Sequence, residues 1–215
     1  MGFGARARSV VNGWSWFVLL GGLALVSACS SSGAAPTTTL PATVVVVPAP
    51  TGFVSEPTDP VGGGSTGALT YGEAGGADCS GVDPVKTSEA MWISSQLRLY
   101  GSNPAYGDDY LIVCVTKVDS ASSARTTQEG IAQRYMGKTS GLFGSTIVPL
   151  AVPNVPGSTG ITLGSGPTQV NQISFVKGSY VVFVVGASRQ ASSASASQQY
   201  ATSLATQEYA ALPTG

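Results

Sequence analysis

From residue 91 onward the apolar positions follow two different periods. Leu111, Val113 and Val115 alternate with Ile112, Cys114 and Thr116, so residues 110–118 read as a strand with apolar side chains on both faces. Before it, Met91, Ile93, Leu97 and Leu99 share one side while Trp92, Gln96, Arg98 and Tyr100 share the other. That alternation predicts a strand, with an amphipathic helix from Ser88 as the competing reading. Asn103-Pro104 marks a turn between the two. Residues 146–152 and a short run around Ile161 read as further strands on either side of the turn-rich Pro153-Asn154-Val155-Pro156-Gly157. Residues 170–176 and 179–185 flank Lys177-Gly178, a dipeptide suited to a two-residue hairpin turn because glycine accepts positive φ. This placement pairs Val176 with Ser179, Phe175 with Tyr180 and Ile173 with Val182.

Helical spacing appears twice. Ala121, Ala124, Gln128, Ile131, Ala132 and Tyr135 predict a helix that Asp119 or Ser120 caps and that ends near Gly137. Ala194, Ala201, Leu204, Ala205 and Leu212 form one stripe of a helix over residues 188–212, expected to lie on the sheet. Strand, strand, helix, several strands, helix is the order of an α+β domain, a mostly antiparallel sheet with two main helices packed on it. Its expected span is 69–215.

The N-terminal third is built differently. Arg6 and Arg8 precede an apolar run over 14–26, followed by the small residues Ser27 and Ala28, in the order of an export signal. Val26-Ser27-Ala28-Cys29 resembles the bacterial lipobox, a branched apolar residue and two small ones before the cysteine that becomes acylated. The resemblance implies a lipoprotein precursor, cut after residue 28, with Cys29 as the lipidation site and the membrane as its first partner. The apolar run of about 15 residues is short of the roughly 20 a spanning helix needs. An uncleaved anchor and ordinary secretion are the alternatives. Residues 29–68 are dominated by Ser, Thr, Pro, Ala, Gly and Val, which predicts a disordered tether, with the four valines at 44–47 as a locally extended stretch. Thr- and Pro-rich tethers of exported actinobacterial proteins are often O-glycosylated, and a bare spacer is the equal alternative.

Composition narrows the chemistry. With no histidine in the chain, Ser-His-Asp and Cys-His catalysis and histidine-containing zinc sites are excluded. Loss of Arg6 and Arg8 leaves eight of the ten basic residues against eleven acidic ones, so no basic stripe for nucleic acid is expected. Once Cys29 is acylated, Cys79 and Cys114 remain, and outside the membrane an even pair favours a disulfide over a buried or free thiol.

Short motifs add little. Gly137-Lys138-Thr139-Ser140 has the tail of a phosphate-binding loop, but Ala132 stands where its first glycine is required, so a helix C-cap is expected. Ser174 and Lys177 have the spacing of penicillin-recognising enzymes but fall in an alternating strand. Asp108, Asp109, Asp78 and Asp83 read as turn residues rather than a cation site. Trp92, Tyr100, Tyr106 and Tyr110 are candidates for an aromatic cluster at one end of the first hairpin. No catalytic, cofactor-binding or metal-ligating residue is assigned.

Over residues 109–212 the pattern resembles small mycobacterial-type lipoproteins of unknown role, in which a Val-Pro-Gly turn precedes a hairpin and a C-terminal helix. That resemblance carries over no functional residue. The expected function is a noncatalytic binding or accessory domain on the extracytoplasmic face, with a lipid, glycan or envelope protein as partner. A small surface hydrolase and a structural wall protein are the alternatives.

Overall fold

The structure, a computed structural model, describes residues 48–50, 52–56, 66–74, 88–102, 109–142, 147–164, 169–188 and 194–214, all within a unit spanning Pro36–Gly215. The signal and lipobox residues, most of the tether including 44–47, and Cys79, Asp78, Asp83, Tyr106 and Asp108 lie outside these.

The elements run β1 (Phe53–Glu56), β2 (Gly67–Leu69), α1 (Tyr71–Ala74), β3 (Trp92–Ser102), β4 (Asp109–Val118), α2 (Ala121–Leu142), β5 (Ile147–Pro149), β6 (Thr159–Leu163), β7 (Gln169–Lys177), β8 (Tyr180–Ser188) and α3 (Ala194–Ala211). Eight strands form one antiparallel sheet in the order β1-β3-β4-β8-β7-β6-β5, and β2 pairs with β3 beside β1. The α+β expectation holds, and the two long helices take opposite faces. Leu111, Val113, Val115, Ile173, Phe175, Val182 and Val184 pack with Ala201, Leu204 and Ala205 of α3 and with Leu212 just past its end. Ile112, Cys114, Val118, Val181, Phe183 and Val185 pack with Ala124 and Ile131 of α2. The central strands β4 and β8 are therefore apolar on both faces, as their uninterrupted runs require.

The hairpin register differs from expectation. Lys177 pairs with Tyr180, Val176 with Val181, Phe175 with Val182 and Ile173 with Val184, so the turn residues are Gly178 and Ser179. Gly178 has φ +58° and Ser179 has no positive φ. This is the II′ pattern, which wants glycine at the first central position rather than the second. The slip is two residues, an even number, so Ile173 and Phe175 stay on the face under α3.

A bulge breaks the alternation in β3, where Trp92 pairs with Val118 and Ser94 with Lys117, leaving Ile93 as the extra residue. Trp92 thereby joins the face of Leu97 and Leu99 instead of opposing it. Its indole donates to Ser95 Oγ at 2.9 Å, and Ser95 Oγ lies 2.8 Å from Thr116 Oγ1, satisfying buried polar groups between two strands.

β1 and the start of β2 fall inside the stretch expected to be a disordered tether, a correction that moves the start of the fold back to Phe53. Both strands cover the outer edge of β3, which would otherwise be unpaired, and Phe53 reaches the Tyr200 ring edge-on at 5.1 Å. The first long helix also runs past Gly137 to Leu142, so Gly137 to Ser140 lie within it and not at its C-cap. Its start is capped as expected, by Ser120 Oγ accepting from Ser123 N at 3.1 Å. Residue 188 ends β8, and α3 begins at Ala194.

Candidate functional site

The first turns of α2 stand beside two connections that sequence separates widely: the β5–β6 loop and the β7–β8 turn. Gln128 ties the loop to strand β7, its Nε2 donating to Gly157 O at 2.9 Å and to Ser174 O at 3.0 Å. Between these parts opens a groove of about 520 Å³ lined by Ala121, Arg125, Gln128, Glu129, Pro156, Gly157, Val176 and Gly178. Its volume lies in the range of small-molecule sites, roughly 300–1,000 Å³. Arg125 and Glu129 are exposed on its rim, one helical turn apart, and Val176 and Pro156 supply apolar wall.

A smaller cavity of about 20 Å³ lies deeper under α2, lined by Ile131, Ala132, Thr159, Ile161, Gln172, Ser174 and Phe183. It has room for a single water. Gln172 Oε1 is buried there without a hydrogen-bond partner among the described residues, so a water is the group that fits.

On the α3 face, Tyr100 is buried, and burial pushes its hydroxyl above the ordinary phenol range, with Arg98 pulling it down and buried Glu208 pushing it further up. Tyr100 belongs to the packed layer between sheet and helix, and none of the three lines either cavity.

The residues singled out in sequence do not converge. Ser174 lies toward α2, whereas Lys177 Nζ donates to Tyr209 O on α3 at 2.6 Å, so the pair faces opposite sides of β7. Trp92 and Tyr110 pack on the α2 face at opposite ends of the β3–β4 ladder, and Tyr100 packs on the α3 face. Asp109 opens β4 beside Ser188 of β8. Cys114 is fully buried on the α2 face and is disulfide-bonded. Among the described residues, no three His, Cys, Asp or Glu side chains cluster as metal ligands, and no helix is long and apolar enough to cross a membrane.

No family model and no curated protein matches the chain. Among solved structures it is similar to the extracellular domain of PknH from Mycobacterium tuberculosis, at 12% identity and a TM-score of 0.44, covering 79% of this chain and 89% of that one.

Sequence reasoning missed the groove for a physical reason. Arg125 and Glu129 look like any solvent-facing charges of an amphipathic helix. Their partners in the groove, Gly157 and Gly178, are set there by the tertiary fold.

Proposed function

We propose that the chain is the precursor of a lipid-anchored envelope protein, acylated on Cys29, whose domain binds a ligand on the extracytoplasmic side without transforming it. The observation that carries the binding reading is the groove on α2: 520 Å³, mixed polar and apolar, with two charged side chains on its rim. The absence of histidine from the sequence supports a noncatalytic role. The lipobox-like Val26-Ser27-Ala28-Cys29 supports the anchor. One acyl chain holds only marginally, at about 0.8 kcal/mol per buried methylene, so two or more are needed for a durable hold.

Two tests separate the parts of this reading. Cys29→Ser is expected to leave uncut precursor or release soluble protein, read by detergent partitioning of expressing cells. A mature, membrane-bound Cys29→Ser protein would remove the lipobox reading. For the groove, an Ala121→Trp variant fills it from an exposed position at the helix start. Small molecules retained from envelope extract by the full chain should be lost by this variant, and identical retention would place binding elsewhere.

The partner of Cys114 is proposed to be Cys79. This bridge closes a loop of about 35 residues and contributes up to roughly 4 kcal/mol in the chain-entropy account. Peptide mapping without reductant should join the Cys79 and Cys114 fragments, and a Cys79 thiol freely alkylated in the native protein would end the assignment.

A further inference from the structure

We infer that the α2 groove selects a short peptide with both termini free, Arg125 taking the carboxylate and Glu129 the ammonium group. The inference rests on the binding reading above and adds the class of ligand.

Charge is scarce in this chain, at 10% of residues, yet two opposite charges line one groove. Neither Arg125 nor Glu129 is held in an ion pair or side-chain hydrogen bond with another described residue. At i, i+4 with the cation N-terminal, they are in the less favourable order for pairing with each other along a helix. The two charges are therefore available to a third party. Guanidinium and carboxylate match the bidentate geometry of a peptide C-terminus, and a carboxylate accepts from an ammonium group.

Spacing fits as well. One helical turn rises about 5.4 Å, and an extended dipeptide spans at most about 7 Å, so two long side chains one turn apart can reach both of its ends. Gln128 lines the groove beside them. Its Nε2 hydrogens are committed to Gly157 O and Ser174 O, which fixes the amide plane and leaves Oε1 as an acceptor for the peptide N–H. Val176, Pro156 and Ala121 provide apolar contact for small side chains. Opposite charges also act against other ligands: Glu129 disfavours phosphates and other polyanions, and Arg125 disfavours polyamines.

The test is calorimetric titration of the detergent-solubilised full chain with alanyl-alanine, N-acetyl-alanyl-alanine and alanyl-alanine amide. The free dipeptide should bind about tenfold or more tightly than either blocked form, the loss expected when a charge-assisted contact is removed. Arg125→Gln should abolish the preference for a free carboxylate and leave that for the free amine; Glu129→Gln should do the reverse. Both positions are exposed, so both variants should fold, with unchanged circular dichroism. Equal binding of free and blocked peptides, or variants that bind like the parent, overturns the inference. If no dipeptide binds while the Ala121→Trp variant still loses an envelope ligand, the class named here is wrong and the binding reading stands. Failure of both experiments removes both.

Discussion

Phe175→Ala is expected to lower the stability of the full chain by about 3–5 kcal/mol, among the largest losses any single truncation should produce here. Phe175 is fully buried near the hairpin end of β7, opposite Val182. Its ring meets Tyr209 of α3 edge-on, with centroids 5.6 Å apart and planes at 67°. Truncation thus opens a void in the layer that holds α3 to the sheet and removes a ring contact contributing roughly 0.5–1.5 kcal/mol beyond its area. Urea unfolding followed by circular dichroism measures the loss. Val54→Ala is the comparison: Val54 is 48% exposed on edge strand β1, and its change should stay within about 0.5 kcal/mol. A Phe175→Ala chain as stable as the Val54→Ala chain would mean that α3 is not docked on this face.

That prediction depends on a part of the fold that was legible in the sequence. Alternation in β4, β7 and β8 identifies which residues share a face, and face is decided by parity, so Phe175 and Ile173 are placed under α3 even though the hairpin register was expected two residues away. The turn itself was harder to read, because Lys177-Gly178 and Gly178-Ser179 each offer a glycine, and only the backbone sense distinguishes I′ from II′.

Other elements left weaker traces. β1 is four residues in a Pro- and Gly-rich stretch, and its pairing comes from the open edge of β3 rather than from its own periodicity. The bulge at Ile93 reverses the parity of Trp92 without any glycine or proline to announce it. Helix α1 carries a local signal of its own. Thr70 and Glu73 have the Thr-x-x-Glu spacing of a capping box, and in the structure Glu73 Oε2 accepts from Thr70 N at 2.7 Å while Thr70 Oγ1 accepts from Glu73 N at 3.4 Å. The Thr70 backbone N–H, and after it the Thr70 hydroxyl donating to the same Oε2 at 2.8 Å, hold the Glu73 carboxyl below its ordinary range. The groove was the least legible, since it is made by a helix face, a loop and a turn that meet only after folding.

Gly186 is where one side-chain carbon should matter most. In sequence it follows Val185 as a glycine at the end of an apolar run, and glycine inside a strand marks either a bulge or a close approach of another backbone. The ladder is regular there, with Gly186 paired to Leu111 on one side and Asn171 on the other, so close approach is the reason. A Cβ at this position would stand 2.8 Å from Ser197 O and 2.9 Å from Ala201 Cβ. The nearer atom is helix backbone and cannot rotate aside, so α3 itself must lift from β8. Gly186→Ala is expected to cost about 1–3 kcal/mol by overpacking, and Gly186→Val at least the upper end of that range. For a domain of this size the valine variant should melt on the order of 10 °C lower. Ala201→Gly in the same chain removes the second contact but leaves the one with Ser197 O, so it should restore only part of the loss. Full rescue would show that Ala201 alone sets the spacing. A Gly186→Val chain that melts like the parent would mean that α3 does not approach β8 at Ser197, and the helix would have to be redocked.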